Sequence, residues 1–166
     1  LISQRPETQF DLLEFRHALE GMAAFYSALR GQPEDYQHLQ SALAGLDEIE
    51  PTEDKEKEAN VLGEFYLIMA KASHNMVLQH VMRSMKTMLI DNIQRNLQML
   101  AVNPEACSEI AQQRVSIVAA IVQQNPQKAR QASNAHLAFI EETLLNINQR
   151  DSRIQRVLRR IETNPS

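Results

Sequence analysis

Apolar residues at positions 12, 15, 19, 22, 26 and 29 alternate in steps of three and four, which draws one stripe down a helix over residues 10–29. The rhythm recurs along the chain. Tyr36, Leu39, Leu43 and Leu46 carry it through residues 34–49, and Leu62, Phe65, Tyr66 and Met69 share one face of 53–72. Met85, Leu89 and Met99 mark the inner face of 76–100, and Ile110, Ile117 and Ile121 that of 104–123. The last stripe begins with Ala129, Ala132, His136, Ile140 and Ile147 and extends toward Ile154, Val157, Leu158 and Ile161. Between the stripes stand stop and start signals: Gly31 with Pro33, an acid- and lysine-rich connection over residues 50–58 with Thr52 as a cap, Ser73-His74-Asn75, Asn103-Pro104 and Asn125-Pro126. The pattern predicts an all-α antiparallel bundle of six to seven helices joined by short connections.

Several polar residues fall on or beside these apolar faces. Arg16 sits at the edge of the first stripe, where a guanidinium snorkels outward, pairs with Glu20 one turn on, or enters a polar pocket. Asn92 and Asn96 share the face of Leu89, and a buried amide is costly unless paired, so they bond each other or meet a polar ligand. Gln113 and Arg114 flank the face of Ile110 and Ile117, Tyr66 lies among apolar neighbours, and His136 interrupts an apolar row. A single inward histidine is more often a hydrogen-bonded core residue than a ligand. Scattered, each of these residues is a satisfied core position. Convergent, they form a small cavity of cationic, amide, phenol and imidazole groups suited to a compact anion such as a carboxylate. Periodicity places the faces and leaves the convergence open.

Composition narrows the classes. The chain has 166 residues, four glycines, no tryptophan and a net charge of −4. That length suits one domain with a substantial core. An acidic domain is a poor candidate for gripping nucleic acid by itself. One cysteine, Cys107, excludes an internal disulfide framework and suits a reducing cytoplasm. No phosphate-binding glycine loop, nucleophile elbow or CxxC pair is present, so nothing in the sequence asks for an enzyme. The methionines of residues 76–100 read as flexible core filling. The arginines at 150, 153, 156, 159 and 160 read as a solvated helix end.

Three sets of residues, in order, carry a family resemblance: Leu13-x-x-Arg16-x-x-Leu19-Glu20 with Ala23-Ala24; Ala72-x-x-Asn75-x-x-Leu78; and Ala120-Ile121 followed by Ala129 and His136-Leu137. From residue 10 onward the chain resembles the C-terminal effector domain, the FCD domain, of the FadR branch of GntR transcription regulators. The segments PETQFDLLEFRHALEG and AHLAFIEE are very similar to members that govern pyruvate oxidation. The resemblance implies a helical bundle over residues 10–166 that binds ligand and dimerises. It also implies residues 1–9 as a linker from an N-terminal winged helix that binds operator DNA. A homodimer, a cytoplasmic repressor and pyruvate as effector complete the expectation. Arg16 matches the family's arginine on the first helix, which favours the inward carboxylate anchor.

Many members hold a metal through an Asp and a His four residues apart and two later histidines. The matching positions here are Leu62, Tyr66, Gln113 (or Arg114, if the register slips by one) and His136. Leucine cannot coordinate, and one imidazole with a phenol and an amide is too poor a set for zinc, so a metal-free pocket is expected. The expected ligand-binding set is Arg16, Tyr66, Asn92, Asn96, Gln113, Arg114 and His136, with no catalytic residues and no cofactor. Two alternatives remain: a metal-dependent helical-bundle protein, and a dimerisation module that binds no ligand.

Overall fold

A computed structural model describes residues 6–49 and 54–163 of the chain. Among these residues seven helices form: α1 (Pro6–Arg30), α2 (Pro33–Asp47), α3 (Lys55–Ala72), α4 (Met76–Ser84), α5 (Lys86–Leu100), α6 (Pro104–Val122) and α7 (Pro126–Thr163). The all-α bundle read from the pattern is the observed architecture. The caps of α6 and α7 sit where the sequence signals fall. Asn103 accepts from the Ala106 amide, and Asn125 from that of Lys128, with a proline opening each helix that follows. His74 and Gln124 take left-handed backbones, with φ of 53° and 57°, and close the C-termini of α3 and α6 without a glycine.

Four expectations are corrected. The long helix read over residues 76–100 is two, α4 and α5, broken at Met85. The cap of α3 is Asp54, which accepts from the Lys57 amide, while Thr52 lies outside the described residues. α1 begins at Pro6, so residues 6–9 of the expected linker are its first turn, and residues 1–5 lie outside the described set. Finally, the buried face of α1 is not centred on the large apolar residues. Phe15 and Leu29 are 46 % and 57 % exposed, whereas Leu13, Arg16, Glu20, Ala23, Ala24 and Ser27 are buried. Small residues let α1 come close to its neighbours, and that proximity outweighs side-chain size in choosing the face.

α1 packs mainly along antiparallel α7, with Arg130 over the ring of Phe25 and Gly21 against Asn134. α3 is the other central element, against α1, α2 and α5. Ser27 donates to the Met69 carbonyl at 2.6 Å and ties α1 to α3. Gly63 lets α5 approach α3, since a Cβ there would stand 2.6 Å from Cγ1 of Ile90. The large core cluster holds Ala23, Ala24, Phe65, Met69, Ile117 and Ile121, and a smaller one is built from Leu13, Leu100, Ile110, Leu137, Ile140 and Leu144. α7 runs on past the bundle, where Ile154, Val157, Leu158 and Ile161 are exposed beside the arginines.

Candidate functional site

The two apolar clusters are separated by a polar layer, and the boundary falls on four helices. On α1, Arg16 and Glu20 stand between Leu13 of one cluster and Ala23 of the other. On α6, Gln113 and Arg114 stand between Ile110 and Ile117; on α5, Asn96 lies between Ile93 and Leu100; on α7, His136 lies between Ala129 and Leu137. α3 contributes Tyr66 from within the larger cluster.

Arg16 is 4 % exposed and Glu20 1 %. Nε of Arg16 donates to Glu20 at 2.7 Å, its Nη2 reaches the other carboxylate oxygen at 3.4 Å, and its Nη1 donates to Oδ1 of Asn92 at 3.1 Å. Of the three possibilities for Arg16, the Glu20 pair and the inward position therefore occur together, and the pair is not on the surface. Two N–H donors facing two oxygens suit a carboxylate. Burial raises the Glu20 pKa above the usual carboxylate range, and the Arg16 guanidinium opposes the rise. The guanidinium also lies 5.3 Å from the ring centroid of Tyr66, a cation–π distance.

Asn92 is the hub. Its Oδ1 accepts from Arg16 and from Nδ2 of Asn96, and its own Nδ2 donates to the side chain of Gln9 at 2.7 Å and to its backbone carbonyl at 3.2 Å. The two asparagines do bond each other, and the same amide holds Arg16.

On the other side of the layer Tyr66 Oη lies 3.4 Å from Nε2 of His136, and Nδ1 of His136 lies 2.7 Å from Oε1 of Gln113. Burial, with the Arg114 and Arg16 charges, pushes the His136 pKa down to about 3, so the ring is neutral. In that state Nδ1–H donates to Gln113 and Nε2 accepts from the Tyr66 hydroxyl. The register on α6 is thereby decided: Gln113 faces the imidazole, and Arg114, half-buried, acts on Glu20, Tyr66 and His136 through its charge.

The layer thus brings together Arg16, Tyr66, Asn92, Asn96, Gln113 and His136, with Arg114 at its margin. Sequence reasoning missed two members. Gln9 falls within the expected linker, although it precedes Arg16 by seven residues and so shares its face over two turns. Glu20 was seen only as a partner, although its position four residues on puts it wherever Arg16 goes. Two surface grooves lie elsewhere. One of about 430 Å³ is lined by Asp35, His38, Ser41, Ala42, Ile68 and Lys71, and one of about 370 Å³ includes His17, Tyr26 and Arg130. Neither shares a residue with the layer, whose side chains close on one another.

The layer does not fit the metal that many such bundles carry. Leu62 is a core residue, and both ring nitrogens of His136 are engaged by Tyr66 and Gln113. No group of three or more histidine, cysteine, aspartate or glutamate side chains able to hold a metal ion occurs among the described residues. A lone imidazole with a phenol and an amide is a weak donor set.

A helical bundle with a buried guanidinium, amides, a phenol and a neutral imidazole at its centre has the form of a domain that binds a small polar ligand internally. Residues 11–139 match the FCD domain, and the chain belongs to that family, the effector domain of GntR-family transcription regulators. It is 30% identical over 159 residues to the putative L-lactate dehydrogenase operon regulatory protein of Escherichia coli K12, covering 96% of this chain and 60% of that protein. It is 28% identical over 154 residues to the Glc operon transcriptional activator of the same strain, covering 89% of this chain and 59% of that one. The HTH-type transcriptional regulator LutR of Bacillus subtilis is 27% identical over 134 residues, 80% of this chain and 60% of LutR. The chain therefore spans about 60% of the length of these relatives, which are regulators rather than enzymes. A solved structure titled Streptococcus agalactiae GntR superposes with a TM-score of 0.66 at 22% identity, covering 86% of this chain and 63% of that one, and supports the fold. No helix among the described residues is long and apolar enough to cross a membrane.

Proposed function

We propose that this chain is the effector-sensing and dimerising part of a cytoplasmic transcription repressor of central carbon metabolism. In this reading a small carboxylate, pyruvate in the first instance, binds within the polar layer, and operator DNA is bound by a separate N-terminal domain. One observation carries the reading: a guanidinium held 4 % exposed on the inner face of α1, paired with Glu20 and bordered by the amide of Asn92 and the ring of Tyr66. Arg16 gives Nε and one Nη2 proton to Glu20 and one Nη1 proton to Asn92, which leaves one N–H on each of its two Nη atoms for a carboxylate. Asn96, whose Nδ2 gives one proton to Asn92, has a second N–H for an oxygen on the adjacent carbon. No chemical step is involved. Binding shifts the balance between two helix arrangements by whatever difference in affinity they have for the ligand.

L-lactate is the second reading, favoured by the name of the E. coli lactate operon regulator. Thermal unfolding across a pyruvate titration, with L-lactate, acetate and citrate in parallel, tests both. A ligand at 100 times its dissociation constant adds about 2.7 kcal/mol, which for a domain of this length raises Tm by roughly 5–10 °C. The expected result is a saturable rise with pyruvate that is absent in Arg16→Ala. A rise with L-lactate alone transfers the assignment to the second reading, and no response to any acid overturns the carboxylate site.

A further inference from the structure

The polar layer is not evenly matched. Two buried N–H groups find no acceptor: Nε of Arg114 and Nε2 of Gln9. Both belong to residues linked to the Arg16–Glu20 pair, Gln9 through Asn92 and Arg114 through its charge. Gln9 bonds Asn92, which takes Nη1 of Arg16, and Arg114 lies close enough to Glu20, Tyr66 and His136 to bear on the ionisation of each. Charge is unmatched as well. Arg16 and Arg114 bring two guanidiniums, Glu20 one carboxylate, and the remaining members are uncharged side chains. Arg114 is half-buried, so solvent compensates its charge only in part, and charge held away from water is expensive, as is an unpaired buried donor.

Resting on the carboxylate reading above, we propose that Glu20 and Arg114 set the charge of the effector: the layer takes a monocarboxylate and turns away dicarboxylates, and Glu20 is the residue that determines this specificity. A monoanion supplies the missing charge and gives the unpaired donors an acceptor. A dianion of the same size leaves a surplus negative charge among apolar walls. The Glu20 carboxylate, already paired to Arg16, repels it directly and cannot be dispersed into solvent at 1 % exposure. An uncharged amide leaves the guanidinium excess as it was. Glu20 thus does two things: it orients Arg16, and it takes up one of the two positive charges so that only one remains for the ligand.

The test compares size-matched ligands by titration calorimetry on the whole chain. L-lactate is set against tartronate, in which the methyl is a carboxylate, and against lactamide, which has no charge; pyruvate is set against ketomalonate in the same way. Wild type is expected to favour each monoanion over its dianion by about 100-fold or more. Glu20→Gln keeps the shape and one acceptor for Arg16 and removes the negative charge, and should move that ratio at least about tenfold toward the dianion. Arg114→Gln removes a positive charge at a half-buried position and should move the lactate-to-lactamide ratio toward the amide. Circular dichroism checks folding, and if Glu20→Gln does not fold, Arg114→Gln decides alone. Ratios unchanged in the folded variants, with lactate or pyruvate still bound, overturn the charge rule and leave the carboxylate site standing. Failure of wild type to bind any acid overturns the carboxylate site and the charge rule with it.

Discussion

Acidification should destabilise this fold through His136, and the size of the effect follows from the site. In the unfolded chain an imidazole takes its proton near pH 6.5; in the fold, burial and the Arg114 and Arg16 charges hold the same group down to about 3. The unfolded state therefore binds more protons between those values, so stability is full above pH 6.5 and falls as pH falls through the window. The slope approaches about 1.4 kcal/mol per pH unit, which gives a loss of about 2 kcal/mol at pH 5 relative to neutral pH. With an ordinary urea dependence that is a fall of about 1 M in the unfolding midpoint. Other groups titrate too. Glu20, with its pKa raised, works in the opposite sense: its contribution is present at low pH and lost as pH rises through its folded value. The measurement is therefore a difference. Urea unfolding at pH 7 and pH 5 is compared between wild type and His136→Gln, which keeps a neutral side chain that can reach Tyr66 and Gln113. Wild type should lose about 2 kcal/mol more than the variant on acidification. Equal losses in the two proteins would refute the buried neutral imidazole, whatever the variant costs at pH 7.

Glu20→Ala leaves the Arg16 guanidinium buried and unpaired and should cost about 3–5 kcal/mol, whereas Arg16→Met with Glu20→Leu should recover most of that loss; urea midpoints of both would show it. Dialysis against a strong chelator should move Tm by less than about 1 °C, because the layer has no adequate ligand set; a drop of several degrees would mean that a metal holds the fold. Gly63→Ala should cost about 1–2 kcal/mol, since the new Cβ meets Ile90 at 2.6 Å, and thermal melting beside Ile90→Ala would show whether the clash is the cause.

The ends of most helices were legible because they are chemical: an asparagine cap before a proline specifies a start whatever packs around it. The break between α4 and α5 was not. Met82 and Met85 carry the apolar rhythm across it, and no glycine or proline marks it. The one local sign is Ser84, whose hydroxyl turns back to the His80 carbonyl at 2.8 Å. The buried face of α1 was misread for a different reason. A stripe drawn by large residues ignores what small ones permit, and Ala23, Ala24, Ser27 and Ala28 are where neighbouring helices come close, each no more than 2 % exposed. The members of the layer could be named from their faces, but not their meeting. That depends on how five helices are rotated against one another, which no single stripe contains. Gln9 shows the limit most plainly, because a residue placed in a linker has no face at all.

Why a bundle should keep this layer is a question of what it connects. Filling it with hydrophobic residues of similar volume would join the two apolar clusters into one, and such replacements of buried ion pairs are often neutral or stabilising. The polar version instead links helices pairwise. Arg16 to Asn92 joins α1 to α5, Tyr66 to His136 joins α3 to α7, and His136 to Gln113 joins α7 to α6. Under the proposed function, a carboxylate that engages Nη1 of Arg16 competes with Asn92 Oδ1 for that donor, and Asn92 also holds Gln9 through two hydrogen bonds. Gln9 is in the first turn of α1. Re-pairing at the centre of the bundle therefore reaches the start of α1 in two hydrogen-bonded steps, with no need for a long chain of small displacements. An apolar interior of the same volume would hold α1 at least as firmly but would give a bound anion nothing to exchange.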